Sequence, residues 1–155
     1  MKSSPVYFNV QQITPSYEST DIPITFQVEI VNIGKAMNLS SGIFTAPCAG
    51  TYFFSFSGAA HFSNTNQLMS FRMELYWNGK VTAATAGDEL SLVPSIPDNN
   101  ADEAFAIQST LNLQAGDEIW VQMSTPANNT HLHDGSVYFN GWLLQEDISK
   151  SVIIN

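Results

Sequence analysis

The stretch GIFTAPCAGTYFFSF, residues 42–56, predicts two short β-strands joined by a turn. Pro47 fixes φ and Gly50 tolerates positive φ, which is why both residue types are common in turns. Three aromatic residues follow at every second position and so share one face of the second strand: Tyr52, Phe54 and Phe56. A strand this apolar is expected between two packed sheets or beneath a partner chain, so the core should form around it.

The same alternation of apolar and polar residues recurs along the rest of the chain. It is cleanest over residues 69–77, and Asn78-Gly79 follows at once, the favoured pair for a type I′ hairpin turn. Further alternating segments cover residues 104–113, 119–124 and 137–144. About eight to ten short strands without a helical period predict an all-β sandwich or jelly roll. One domain is expected over residues 1–155, with its core at about 5–147 and a tail at 148–155.

The charge distribution excludes several classes of partner. The formal net charge is −9, and residues 81–149 contain no Lys or Arg. Nucleic acid and anionic membranes would be repelled by such a surface, whereas cationic partners and calcium remain open. No apolar run approaches the roughly 20 residues of a membrane span. The start, MKSSPVYF, lacks the apolar segment of a signal peptide, so we expect either a cytosolic protein or a mature form.

Five segments, in order and in register, resemble the C1q globular domain, the head module of complement C1q, adiponectin and related proteins. The principal segment is Gly42-x-Phe44-x-Ala46-Pro47-x-x-Gly50-x-Tyr52-x-Phe54. The other four are Val6-Tyr7-Phe8, Asn32-x-Gly34, Leu111-x-Leu113-x-x-Gly116-Asp117-x-Ile119-Trp120-Val121, and Phe139-x-Gly141-Trp142-Leu143-Leu144. In the last segment Trp142 replaces the usual second aromatic residue.

The resemblance implies a ten-strand jelly roll of the tumour necrosis factor superfamily that assembles as a compact homotrimer. It also implies a non-enzymatic recognition module, usually secreted, that binds an extracellular glycan, microbial surface or receptor through apical loops. The chain has no Gly-X-Y repeat, so either a collagen stalk lies outside it or it is a stalkless member, as in invertebrate innate immunity. Two alternatives are an assembly module of an extracellular matrix and a cytokine-like receptor ligand.

A trimer of this kind should be held by the aromatic faces of the first, central and last strands. The candidate interface residues are Tyr7, Tyr52, Phe54, Tyr138 and Trp142. We expect a protomer with so many aromatic residues to need identical partners for solubility.

Acidic residues near residue 100 form a candidate calcium site. Asp98, Asp102 and Glu103 supply carboxylates, and calcium takes six to eight oxygen ligands from flexible loops. The resemblance implies that Asp102 occupies the position of an acidic residue that binds calcium near the trimer apex in some relatives. The usual acidic companion is missing near Pro94, so a solvated acidic loop is the competing interpretation.

A second candidate is the apical sequence His131-Leu132-His133-Asp134. Residues i and i+2 of a strand share a face, so both imidazoles could reach one metal ion. Two histidines need a further ligand, and His61 is distant in sequence. The competing interpretation is an ordinary exposed loop.

No catalytic constellation is recognisable, so enzyme activity is not expected. The single cysteine, Cys48, rules out a disulfide within the chain. We expect Cys48 to be a buried thiol, with an intermolecular disulfide as the alternative. Glycosylation sequons at Asn38 and Asn128 weakly favour secretion.

Overall fold

The computed structural model describes residues 4–14, 19–62, 68–90, 101–126, 130–132 and 135–149, which form eleven strands in two antiparallel sheets. The six-stranded sheet contains β1 (Tyr7–Gln12), β2 (Val28–Ile33), β5 (Gly50–Phe62), β8 (Ala101–Leu113), β10 (Thr130–Leu132) and β11 (Val137–Glu146). The five-stranded sheet contains β3 (Met37–Asn38), β4 (Ile43–Thr45), β6 (Leu68–Trp77), β7 (Lys80–Leu90) and β9 (Glu118–Pro126).

This architecture confirms the predicted all-β jelly roll. The described residues form one strand more than the ten expected, and the shortest, β3, has only two residues. β5 is an inner strand of its sheet: β11 and then β10 pair along one edge, and β8 pairs along the other edge over the full length of β5. β1 joins β11 to the edge strand β2.

The core lies between the sheets and is dominated by aromatic rings. Phe44 projects from the five-stranded sheet and meets Phe8 and Phe54 of the other sheet, with ring centroids 5.4 and 5.2 Å apart. Phe8 also contacts Phe139 edge to face at 5.0 Å. Such tilted and edge-to-face pairs add to the free energy gained from burying the rings. Phe54, which the sequence placed on the shared aromatic face of its strand, therefore lies at the centre of the core.

The predicted alternation and the predicted hairpin turn are both present. Along β5, Tyr52, Phe54 and Phe56 are fully buried while the residues between them are half-buried. Asn78 and Gly79 have φ values of 48° and 83°, the positive values that a type I′ turn requires.

Several strands extend further than the sequence indicated. β5 runs through Phe62 and so includes His61, beyond the aromatic alternation of residues 52–56. β9 reaches Pro126, and β10 adds a short strand at Thr130–Leu132. The reason is tertiary pairing, because the end of β5 has hydrogen-bonded partners on both edges, in β10 and β8.

Among the described residues, no helix has the length and apolar character needed to cross a bilayer.

Gly141 of β11 has no room for a side chain. A Cβ atom there would lie 2.5 Å from a ring carbon of Phe8 and 2.8 Å from one of Phe54. The two rings pack over the glycine, so the Gly141 of the closing segment is needed for core packing.

We expect Gly141→Ala to lower the free energy of unfolding by about 2 kcal/mol, because overpacking forces the rings out of their positions. Chemical denaturation measures the change. Phe8→Leu supplies the matched test, since a smaller side chain makes space for the new methyl group. In a double-mutant cycle, the two substitutions together should cost less than their sum. Strict additivity would show that the contact with Phe8 does not limit this position.

Candidate functional site

The outer face of the six-stranded sheet carries a row of aromatic side chains from three neighbouring strands. Tyr7 of β1 is the register partner of Trp142 of β11, which is in turn the partner of Phe53 of β5. The ring centroids of Phe53 and Trp142 are 4.7 Å apart, and those of Tyr7 and Trp142 are 6.3 Å apart with an edge-to-face angle of 72°. We call these three residues the aromatic row.

The aromatic row is open to solvent in the single chain. Tyr7 is 39% exposed and Trp142 is 36% exposed, and the neighbouring β2 adds Ile33, the register partner of Tyr7, at 47%. Contiguous exposed apolar groups on a monomer are typical of a protein–protein contact. Successive side chains of a strand point to opposite faces of the sheet. The side chains of the aromatic row therefore lie on the face that does not contribute to the core.

The structure divides the five predicted interface residues into two groups. Tyr7 and Trp142 belong to the aromatic row, and Tyr138 is half-buried on the same outer face, where its hydroxyl accepts a hydrogen bond from Gln11 Nε2 at 3.0 Å. Contact through these three residues stays a prediction. The assignment of Tyr52 and Phe54 to the interface is wrong, because both side chains are buried between the two sheets of the protomer.

Tyr52 has a structural role at the start of β5. Its hydroxyl donates to the Cys48 carbonyl at 2.8 Å and lies 3.3 Å from the Cys48 Sγ. Burial, followed by the hydrogen bond with the thiol, raises the pKa of Tyr52. Cys48 itself is half-buried against the core and is a free thiol in the protomer. The pair anchors the turn that contains Pro47 to the strand that follows it.

The structure describes two of the three carboxylates of the predicted calcium site, and these two do not point the same way. Asp98 lies outside the described residues. Asp102 and Glu103 are consecutive residues of β8, so their side chains point to opposite faces of the sheet. Asp102 is on the outer face and pairs with His61, with Nδ1 and Oδ1 2.6 Å apart. Calcium binding at this end of the sandwich stays a prediction, and one ion cannot take both neighbouring carboxylates.

The predicted histidine cluster is only partly described. His131 lies in β10, whereas His133 and Asp134 lie outside the described residues. In the part of the chain whose side chains are described, no group of three His, Cys, Asp or Glu residues could hold a metal ion.

The outer face of the five-stranded sheet has a different, polar character that the sequence analysis missed. Tyr76 and Trp120 are register partners whose rings stack with centroids 5.5 Å apart at an angle of 6°. Glu74 is buried beside them and accepts from Arg72 Nε at 2.6 Å and from the Tyr76 hydroxyl at 2.8 Å. Burial opposes ionisation, but hydrogen bonds led by that of Arg72 lower the pKa of Glu74. The alternation of residues 69–77 could have placed Glu74 and Tyr76 together, but the pairing with Trp120 needed the fold.

Asp117, one of the residues shared with the resembling family, fastens two turns together. Its Oδ1 accepts from Asn78 Nδ2 at 2.9 Å, and its Oδ2 accepts from the Gln114 amide at 2.8 Å and the Trp77 indole at 3.1 Å. Asn78 completes the link by accepting from the Glu118 amide at 2.8 Å. We call this arrangement the Asp117 clamp. Burial opposes ionisation, but the hydrogen bonds, led by that of Asn78, lower the pKa of Asp117.

The remaining residues shared with the family have structural positions. Pro47 is an exposed residue of the turn, Gly50 begins β5, and Gly116 adopts a φ of 90° in the turn before β9. Phe139 is fully buried, and Leu143 packs against the core from β11. These residues therefore belong to the scaffold of the domain.

Asp117→Asn should lower the free energy of unfolding at neutral pH by about 2 kcal/mol, because an amide group replaces one accepting oxygen and faces a donor. A carboxyl group with a lowered folded pKa stabilises the protein above its ordinary value of 3.8, and this contribution is lost as the pH falls through the folded pKa. The difference between wild type and variant should therefore shrink in acid.

Denaturant titrations across this pH range measure the difference, with Glu118→Gln as control because Glu118 is the exposed neighbouring acid. A difference that stays constant into strong acid would refute a charged role for Asp117.

Comparison with known proteins agrees with this arrangement of sheets and turns. The chain is similar to the globular domain of zebrafish complement 1qA protein, with a TM-score of 0.64 and 19% identity over 92% of this chain and 99% of that chain. At this level of identity the likeness shows the fold alone. A family model, that of the C1q domain, matches residues 7–144, which include both sheets and the Asp117 clamp. The chain therefore belongs to the C1q domain family.

Proposed function

We propose that this chain is a non-enzymatic recognition module that works as a homotrimer and binds an extracellular ligand. The observation that carries the proposal is the aromatic row, which leaves a Tyr, a Trp and a Phe ring side by side on one outer face. C1q domains typically trimerise and bind ligands, are generally non-enzymatic and are usually extracellular. The exposed apolar face of this chain is consistent with trimerisation, because association of identical copies would bury that face.

The geometry of the two outer faces supports a division of roles. The six-stranded sheet presents apolar rings and serves assembly. The five-stranded sheet presents hydrogen-bonded polar groups around Tyr76 and Trp120, which are compatible with lasting contact with water. The polar face and the loops at the ends of the sandwich therefore remain available for a ligand.

Charge narrows the class of ligand. With a net charge of −9, and with no Lys or Arg over residues 81–149, the surface repels polyanions. A neutral glycan or a cationic protein surface fits best. Secretion is part of the proposal, and Asn38 of the first sequon is exposed, where a glycan could be attached.

The assembly is tested with Trp142→Asp. A carboxylate placed in the aromatic row should convert trimer into monomer at micromolar concentration, because a buried aromatic anchor contributes about 2 kcal/mol or more per contact. Light scattering coupled to size exclusion measures the mass.

The matched control is Val81→Asp, an exposed apolar residue of β7 on the other sheet, which should leave the trimer intact. A wild-type chain that is monomeric at this concentration would contradict the proposed assembly, as would a trimeric Trp142→Asp variant.

Ligand recognition is tested on an array of neutral, cationic and sulfated glycans, together with a pull-down on bacterial cells. Neutral or cationic probes should bind, and sulfated probes should not bind at physiological salt. Selective binding of sulfated glycans would contradict the electrostatic argument. Binding only to host cells would favour the cytokine-like alternative, and no binding at all would favour an assembly module.

A further inference from the structure

The chain contains two Asn-Gly pairs, and the fold gives them contrasting surroundings. Asn78-Gly79 forms the exposed turn between β6 and β7, whereas Asn140-Gly141 lies inside β11. Asn-Gly is prone to spontaneous deamidation, because the glycine has no side chain to hinder attack of its amide nitrogen on the asparagine side chain. The sequence makes both pairs chemically alike, so the fold decides which of them reacts.

The sheet protects the pair in β11. Asn140 is the register partner of Asn9 in β1 on one side and of Ser55 in β5 on the other. Ring closure between an asparagine side chain and the next amide nitrogen requires the backbone to leave the extended conformation. At Asn140 that change would break ladder hydrogen bonds with neighbouring strands, so the reaction is blocked while the sheet is intact.

The pair in the turn has a freer backbone. Asn78 and Gly79 are exposed, and a Cβ atom built on Gly79 would meet no atom within 4 Å. The restraint on Asn78 comes from its side chain instead. Its Nδ2 donates to Asp117 Oδ1 at 2.9 Å, and its Oδ1 accepts from the Glu118 amide at 2.8 Å. Both ends of the amide group are therefore held by the Asp117 clamp.

We propose that Asn78 is a deamidation site and that Asp117 sets its rate by holding the reactive amide group. In the reaction the Gly79 backbone nitrogen attacks the Asn78 Cγ and loses its proton, and the bond from Cγ to Nδ2 breaks with release of ammonia. Water then opens the succinimide ring to aspartate or isoaspartate. The nitrogen that leaves is the one that donates to Asp117, so the reaction requires the loss of that hydrogen bond.

The product of this reaction opens the clamp. A carboxylate at position 78 has no proton to donate and faces the carboxylate of Asp117 across a contact that is now 2.9 Å long. Like charges at this distance repel. The hairpin of β6 and β7 then loses its link to the turn before β9. Deamidation of Asn78 is therefore a modification that lowers the stability of the folded protein with age.

The experiment incubates the folded chain in mildly alkaline buffer at body temperature and follows both asparagines by peptide mapping with mass spectrometry. Asn78 should be converted at least about tenfold faster than Asn140, because opening β11 costs free energy that the exposed turn does not require. In denaturant the two pairs should be converted at similar rates, since both are then Asn-Gly in an unfolded chain.

Asp117→Ala should raise the rate at Asn78 by about tenfold, the factor expected from the loss of one hydrogen bond to a charged acceptor. Glu118→Gln is the matched control, because it changes the neighbouring acid and keeps the backbone amide that donates to Asn78. Its rate should equal that of the wild type. Melting curves recorded before incubation show that each variant is folded.

The comparison of the two asparagines uses the wild-type chain and so does not depend on the folding of any variant. The proposal is overturned if the folded chain loses Asn140 as fast as Asn78, or if Asn78 stays intact throughout. It is also overturned if a folded Asp117→Ala variant reacts at the wild-type rate, since the clamp would then have no part in protecting Asn78.

Discussion

The structure depends on the contact of Phe44 with the opposite sheet. Phe44 comes from a strand of only three residues, yet its ring meets Phe8, Tyr52 and Phe54 across the interface between the sheets. A strand of three residues forms few backbone hydrogen bonds to its neighbours. Burial of the Phe44 ring therefore accounts for much of the free energy that holds β4 in place. The turn that follows β4 leads into β5, whose Tyr52 and Phe54 pack in the same aromatic cluster.

This packing explains the character of the two outer faces. Aromatic rings fill inner positions in the first half of β5, at Tyr52, Phe54 and Phe56, and one inner position of β11, at Phe139. The outer positions of those strands are the ones that face other molecules. Near the start of β5 the outer side chains are apolar, at Phe53 and its β11 partner Trp142. At the far end of β5 they are polar, at His61 and its β8 partner Asp102. β5 thus runs from an exposed aromatic surface to a polar end of the sheet.

Local pattern predicted much of the fold. Alternation identified the inner faces of β5, β6 and β11, and Asn78-Gly79 identified a hairpin, because periodicity and positive φ are properties of neighbouring residues. Recognition of the family segments supplied the jelly roll. The end of β5 was missed because its strand conformation comes from pairing with β8 and β10, not from its polar composition.

The candidate site was harder to predict. The sequence placed Tyr52 and Phe54 on the face of β5 that forms the core and also in the trimer interface. One face of a strand cannot pack inside the protomer and also contact a partner chain. The pairing of His61 with Asp102, and that of Tyr76 with Trp120, joins strands that are far apart in sequence. Register between such strands depends on the whole sheet, so the sequence alone could not identify either pair.

The Asp117 clamp has a consequence for how the family can diversify. It lies at the end of the sandwich where β5 begins, whereas His61 and Asp102 lie at the end where β5 stops. The hydrogen bonds of the clamp therefore stabilise one end of the sandwich without contacting residues at the other end. Substitutions at the second end of the sandwich leave the hydrogen bonds of the Asp117 clamp intact, so the surface chemistry of that end can change while the clamp is retained.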